Sequence, residues 1–321
     1  MRTFIIRNIG ELPFDATKDL PPCTEKDILL KLNASALNHR DLWITKGLYA
    51  GIRLGATMGA DGCGTASDGE CYIINPGLAW GSNEAFQSSD FSVLGVPEDG
   101  TFADYIVIPK RYIYRKPSHL TVIQAAALPL AGVTAYRAIM KRAGLKNGDK
   151  VLISGIGGGV ALFALQFALA LGCEVFVTSG SEEKIEKAKG LGAKAGYVYS
   201  NPDWSKQLLA SHGGVDVIID SAGGPGFAQL VKVCNPGARI AIYGGSHGKI
   251  TELNPQVLFW KQISILGSTM GSDADFREMV AFVEHHKIVP IIDSVLPLND
   301  IHAGFSTMSS GSQFGKIVFE H

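Results

Sequence analysis

The sequence contains no pair of cysteines spaced as C-x-x-C. Its five cysteines, Cys23, Cys63, Cys71, Cys173 and Cys234, are scattered and odd in number. That excludes a disulfide framework and fits a reducing, cytoplasmic compartment. Neither sign of charge is in excess, with 29 Lys and Arg against 30 Asp and Glu in 321 residues. Without a basic stripe there is no electrostatic footprint for nucleic acid or anionic lipid, so neither is expected as a partner. Charged residues make up 18% of the chain and hydrophobic residues 46%. This balance excludes disorder and indicates a soluble globular protein with a small-molecule ligand. The opening MRTFIIRNIGELPFD has no apolar run long enough for a signal peptide. One uncharged stretch, Val151 to Cys173, has the length of a membrane span. Glycines at 155, 157, 158 and 159 divide it into a strand-like VLIS and a helix-like VALFALQFALALG. A strand, a glycine turn and a buried helix are expected there.

At about 150 residues per domain, the chain length suggests two domains. Residues 1–118 carry short β-like runs, including TFII, DILLKL, CYIINP and FADYIVIP, punctuated by turns such as ELPFD and PEDG. Over 119–271 the rhythm changes to alternating strand-like and helix-like runs. VLIS, EVFVTS, DVIID, RIAIYGG and SILGSTM alternate with the apolar helix, SEEKIEKAKGLG and GFAQLVKVC. Such alternation predicts an α/β domain, a doubly wound parallel sheet with helices on both faces. The strand runs are apolar on both parities, as strands buried on both sides must be. In 272–321, SDADFREMVAFVEHHK has helical spacing, with Phe276, Met279, Val280 and Val283 on one face, and the chain returns to strand character in FGKIVFEH. The two end segments are expected to form one β-rich domain that closes a cleft against the central one.

The strongest chemical signal is SGIGGGVALFALQ, Ser154 to Gln166, between a strand and a long helix. Glycines in that position let the backbone turn tightly and approach a pyrophosphate at the positive end of the helix. The strict G-x-G-x-x-G pattern from Gly155 fails at Val160, and Ala161 fills the last small position in a shifted register. Gly155, Gly158, Gly159 and Val160 are the candidate pyrophosphate contacts. The second strand then distinguishes the nucleotides, since an acidic residue near its end would hold the 2′-hydroxyl of NAD. Here it ends in Thr178, Ser179, Gly180 and Ser181, and Glu182 and Glu183 fall at the start of a helix, where they suit its dipole. Ser179, Ser181 and Lys184 can donate to a 2′-phosphate, so NADPH is expected over NADH.

These residues resemble the medium-chain dehydrogenase/reductase superfamily over nearly the whole chain. GIGGGVA is similar to the glycine turn of its quinone-reductase-like branch. AALPLAGVTAYRAI, GVDVIIDSAGG, ILGSTMGS and QFGKIVF follow in the order of that family, and ASALNHRDLWITKGLY resembles its Asn-x-x-Asp…Gly-x-Tyr segment. The resemblance implies a Rossmann sheet, a β-rich GroES-like catalytic domain, a cleft and a homodimer in which SILGSTM pairs with its twin. Many relatives hold a catalytic zinc, and the matching positions here are Asn38, Ala60 and Leu130. None is a credible zinc ligand, which must be thiolate, imidazole or carboxylate. The lobe that carries four cysteines in zinc relatives corresponds to PGLAWGSNEAFQSSDF, with no cysteine. Among other donors, His39, Asp61, Cys63 and Cys71 lie in the same half, without a ligand pattern. No metal is expected.

Without a Lewis acid, hydride transfer suits an acceptor that is already electron-poor, a quinone or an α,β-unsaturated carbonyl. By resemblance, Asn38 and Tyr49 are the donors to the developing oxyanion, and Asp41 orients Asn38 or its loop. Thr134, Met270 and Gly271 match positions near the nicotinamide. Gly180 and Tyr199 join Ser179 and Lys184 around the 2′-phosphate, Gly244, Gly245 and Ser246 end a strand beside the cofactor, and Lys316 reaches a cofactor phosphate or faces solvent. Two alternatives to this reductase stand beside it: a zinc-type alcohol dehydrogenase with unusual ligands, and a non-catalytic nucleotide-binding protein.

Overall fold

The structure, a computed structural model, describes residues 1–321. They form two compact units, one made of Met1–Val133 with Met270–His321 and the other of Thr134–Thr269. The first is therefore discontinuous in sequence.

In the first unit the strand Asp27–Ala36 is the hub of a seven-stranded sheet. Its first half pairs with Tyr105–Pro109 and its last three residues pair with the strand Lys316–Glu320, while Asp61–Thr65 lies antiparallel along it. In its first half the strand alternates, with Leu30 and Leu32 buried and Leu29 and Lys31 exposed, the pattern of a sheet with one covered face; at its end Ala34, Ser35 and Ala36 are all buried. Phe4, Ile6, Leu37, Met58, Phe102, Phe305 and Phe319 fill one core, and Leu30, Leu32, Ile74, Ile106 and Tyr112 fill another. Three backbone segments meet almost without side chains beside Gly59. A Cβ on Gly100 would lie 1.9 Å from the Gly59 carbonyl oxygen and 2.6 Å from Gly95 Cα.

The change of sequence rhythm near Leu120 predicts a boundary at 118–119, but the unit extends to Val133. The reason is local. Thr121 and Gln124 cap the helix Val122–Ala126 reciprocally, at 3.2 and 2.9 Å, and that helix packs on Asp27–Ala36 and Asp61–Thr65. Pro129 then opens a new helix, Pro129–Tyr136, a position where its missing N–H costs nothing.

The second unit is a six-stranded parallel sheet. Its order is Ala195–Val198, Glu174–Ser179, Lys150–Ile153, Val215–Asp220, Cys234–Ile242 and Ser264–Gly267. Numbered along the chain that is 3-2-1-4-5-6, the doubly wound arrangement. Central strands are covered on both faces, which is why Val151, Leu152, Ile153, Val175, Phe176 and Val177 are all buried. The uncharged run resolves as expected into strand, turn and the helix Gly159–Ala170, whose apolar circumference is largely buried. No helix is long and apolar enough to cross a membrane.

Candidate active site

The second unit presents its glycine turn at the carboxyl ends of the parallel strands, where doubly wound sheets bind nucleotides. Gly155 has φ +66 and Gly157 φ +127, conformations that side chains resist. At Gly157 a Cβ would also stand 2.9 Å from Cδ of Lys184. Gly157 is thus the most demanding glycine of the turn, although the sequence pattern points instead to Gly155, Gly158 and Gly159. Gly158 caps the helix, and Gly159 and Val160 are its first residues. Their N–H groups have no acceptor within the helix, so they face outward as anion donors. The turn is tied to the next strand by Ile156 N–H to Thr178 O at 2.8 Å and Gly155 N–H to Thr178 Oγ1 at 3.3 Å.

Beyond that strand, Ser181 caps the helix Glu182–Gly190 and accepts from Lys184 N–H at 3.3 Å. Lys184 then lies along Gly157, its Nζ 3.4 Å from where a Cβ would be. Gly180 admits the Tyr199 hydroxyl, which a Cβ there would meet at 2.6 Å. Lys184, Gly180 and Tyr199 are therefore brought together, and Tyr199 is 46% exposed. His247, absent from the sequence reading, joins them with its ring edge-on to Tyr199 at 6.1 Å. Ser179 departs from expectation. It is buried, its hydroxyl turned to the Ile156 carbonyl and accepting from Ser181 N–H at 3.2 Å, so it braces the turn from inside and offers nothing to a phosphate.

The remaining rim is stitched by Asp220, which sequence reasoning also missed. Its buried carboxylate accepts from the Ser154 hydroxyl and from Gly223 N–H at 2.9 Å. Ser246 N–H bonds Ser221 O at 3.3 Å, and Gly244 is needed for close approach, because a Cβ would lie 2.7 Å from that same oxygen. Gly245 beside them is exposed, and Thr134 is buried at the start of the unit. Flexible-chain donors at Lys184 and Tyr199, open N–H groups and glycine surfaces fit a dinucleotide.

The first unit holds a different constellation. Asn38 sits where the strand Asp27–Ala36 gives way to the helix His39–Thr45. Lys316, from the last strand, is buried, contrary to both alternatives drawn from the sequence. Its Nζ donates to Leu37 O at 2.9 Å, Asn38 Oδ1 at 2.7 Å and Asp61 Oδ2 at 2.8 Å. All three ammonium protons are thereby spent inside the protein and none remains for a cofactor phosphate. Asn38 Nδ2 donates to Asp61 Oδ2 at 2.9 Å, and Asp61 Oδ1 accepts Leu130 N–H at 2.7 Å. An ammonium only donates and a carboxylate only accepts, so chemistry fixes the amide orientation of Asn38.

Asp41 is fully buried beneath this cluster and accepts Asn38 N–H through Oδ2 at 2.8 Å. Its Oδ1 has no partner, with Arg40 Nη1 standing off at 3.9 Å. Burial pushes its carboxyl up to about 6, against the pull of Arg40 and of the Asn38 N–H. A carboxyl raised in the folded state holds its proton more tightly there than in the unfolded chain. Its stability contribution is present at pH below 3.8 and is lost as pH climbs to about 6. Asp41→Asn keeps an acceptor for Asn38 and removes the buried charge. It is expected to be more stable than wild type above pH 6 by on the order of 1–3 kcal/mol, converging near pH 4; urea midpoints across that range test it.

Arg40 donates to Leu94 O and Val96 O at 2.7 and 2.8 Å, and its guanidinium lies 4.7 Å from the Tyr49 ring. Tyr49 joins the site through that stack and packs against the Phe4–Phe319 core. An apolar wall runs beside the polar cluster, made of Ala60, Val93 and Leu130 with Phe91 and Met270. Met270 holds φ +42. Gly271 is buried, and a Cβ there would strike Val133 at 2.5 Å, so packing already accounts for this glycine.

The zinc positions do not fit zinc. Ala60 and Leu130 carry no donor, and the Asn38 and Asp61 oxygens are already bound to Lys316. Nowhere do three His, Cys, Asp or Glu side chains gather as a metal site. The lobe after Asn75 is pinned without cysteines: Trp80 meets Phe91 edge-on at 5.2 Å, and Tyr112 Oη accepts Ala79 N–H at 2.8 Å.

Comparison with known proteins agrees with this architecture. Residues 24–118 match the profile of the alcohol dehydrogenase GroES-like domain, and residues 159–285 match that of zinc-binding dehydrogenases. A zinc-type alcohol dehydrogenase-like protein of Leptosphaeria maculans is 35% identical, over 92% of this chain and 90% of its own. The quinone oxidoreductase of Homo sapiens is 27% identical, over 93% and 90%. The crystal structure of an NAD-dependent alcohol dehydrogenase superposes with a TM-score of 0.93 at 34% identity, covering 100% of both chains.

Proposed function

From the premise that the chain belongs to the medium-chain dehydrogenase/reductase superfamily, a family of nicotinamide-dependent oxidoreductases, we propose that it is a metal-independent, NADPH-dependent reductase of quinones or α,β-unsaturated carbonyls. The observation that carries this reading is the occupancy of the three metal-ligand positions by Asn38, Ala60 and Leu130, with Lys316 seated on Asn38 and Asp61. A metal polarises a carbonyl or an alcohol as a Lewis acid. A quinone, or the β-carbon of an enone, accepts hydride with hydrogen-bond help alone. The wall of Ala60, Val93, Leu130, Phe91 and Met270 offers a flat apolar acceptor a dry surface.

When bound, the nicotinamide supplies the hydride. The chain's own residues hold the acceptor and meet the charge that develops on its oxygen. Asn38 spends one amide proton on Asp61, and its second has only a long contact to Ala36 O at 3.4 Å. That second N–H is the donor available to an oxyanion. The test is steady-state oxidation of NADPH and NADH by chelator-treated protein, across quinones, enones, enals and simple aldehydes. Turnover of quinones or enones with NADPH, unchanged by chelation, is expected. Activity confined to alcohols and aldehydes and abolished by chelation would refute the reading.

Preference for NADPH rests on Lys184 and Tyr199, and on the absence of an acidic residue at 179–181. A charge-assisted hydrogen bond to a 2′-phosphate contributes about 1.5–3 kcal/mol. Lys184→Ala should therefore raise the KM for NADPH by about 10-fold or more, leaving that for NADH nearly unchanged; equal effects on both would show that Lys184 serves the turn alone.

We also propose a homodimer through the edge strand Ser264–Gly267, which pairs with Cys234–Ile242 on one side only. The adjoining helix Pro255–Lys261 buries none of its residues and exposes Phe259 and Trp260, the latter by 83%. Light scattering should give twice 34.2 kDa, and Trp260→Glu should return the monomer. Five free cysteines fit the reducing, cytoplasmic setting we propose.

A further inference from the structure

We propose that the ammonium of Lys316 is the resident cation of the acceptor site and the residue that positions and polarises Asn38. The inference rests on the reductase reading above and gives that reading its source of positive charge. Three oxygens, two from adjacent residues and one from a different strand, converge on Nζ: Leu37 O, Asn38 Oδ1 and Asp61 Oδ2, at 2.9, 2.7 and 2.8 Å. Three donors meet three acceptors, so the cage is chemically closed, and both charged partners are almost wholly buried. A lysine buried with a single carboxylate normally serves as half of an ion pair whose net contribution is small. Here the ammonium also binds the oxygen of a neutral amide, which satisfies a buried proton and at the same time couples the charge directly to Asn38.

The amide bond is the functional point. Withdrawal of electron density from Oδ1 strengthens the amide N–H groups as donors, the cooperative effect of a hydrogen-bonded chain in a low-dielectric interior. One of those N–H groups is held by Asp61, which is itself fixed by Leu130 N–H at 2.7 Å. The other is the weakly engaged proton assigned above to the acceptor oxygen. Lys316 therefore never touches substrate. It orients Asn38, makes its free N–H more acidic, and places a fixed positive charge close to where an oxyanion forms. Ala60, next to Asp61 in sequence, and Leu130, bonded to Asp61 through its N–H, belong to the apolar wall, which keeps competing water from the charge.

The experiment compares wild type, Lys316→Met and the double variant Lys316→Met/Asp61→Asn by acceptor kcat, nucleotide KM and thermal midpoint. Lys316→Met leaves an unpaired buried carboxylate, and both midpoint and kcat should fall. The double variant removes both charges. Its midpoint should recover while kcat stays down on the order of 30-fold, with nucleotide KM within about 2-fold, because the nucleotide is held by other residues. Recovery of kcat together with the midpoint would overturn the proposal, since Lys316 would then serve only to neutralise Asp61. Should neither variant fold, metal analysis of dialysed, chelator-treated wild type decides. Full activity without metal is what the proposal requires, and a stoichiometric retained metal overturns it. A wild type silent towards every acceptor would refute the reductase reading, whereas an active wild type with a fully active double variant refutes only the role of Lys316.

Discussion

Asp61→Ala is expected to be among the most damaging single changes in the protein. It strands the Lys316 ammonium in the interior, removes the acceptor of Leu130 N–H, and frees the amide of Asn38. Breaking a buried pair by deleting one partner costs about 3–5 kcal/mol, far more than the intact pair contributes, because an uncompensated charge remains. The loss should appear as a fall of about 10 °C in the thermal midpoint, with acceptor turnover reduced along with it. Asp61→Asn is the informative contrast. It keeps the shape and an oxygen for one donor, so its loss should be smaller, and equal losses would show that the charge alone is at stake.

A second large effect is expected far from any charge. At Gly100 a Cβ would meet three backbone atoms, the Gly59 and Met58 carbonyl oxygens at 1.9 and 2.7 Å and Gly95 Cα at 2.6 Å. No rotamer change relieves a clash with main chain. Gly100→Ala should therefore exceed the usual overpacking cost, at about 4 kcal/mol or more, and reach the site, because Gly59 leads directly into Ala60 and Asp61. Soluble yield and circular-dichroism midpoint report it. Gly69→Ala serves as the comparison: Gly69 has φ +80 but open space around its Cβ position, so about 1 kcal/mol is expected. A Gly100→Ala protein as stable as that control would refute the packing argument.

Features written in consecutive residues were legible in the sequence. Strand, glycine turn and helix between Lys150 and Ala170 followed from local apolar runs and from glycines, and the alternation after Leu120 carried the parallel sheet. What escaped was written across distance. Lys316 and Asp61 are 255 residues apart, and a lysine in FGKIVF has no local sign that it turns inward; burial of Lys is improbable until a partner is known. Gly157 escaped for another reason, since its demand arises from φ and from the Lys184 chain crossing it, and neither is visible in a spacing rule. Ser179 misled because a hydroxyl at a strand end looks the same whether it faces a ligand or the preceding turn.

The discontinuity of the first unit also sets a schedule. Asn38 and Asp61 emerge early in synthesis, yet the strand that carries Lys316 can pair with Asp27–Ala36 only after residues 316–320 have been made. In between, the contiguous unit Thr134–Thr269 has everything its sheet requires, and contiguous domains fold as units during elongation. The central unit should therefore mature first on the ribosome, while the flanking one waits with an unpaired carboxylate and an uncovered strand. Truncation before Lys316 would leave that strand edge exposed as a template for self-association, so Lys316–Glu320 acts as the fastener of the discontinuous unit.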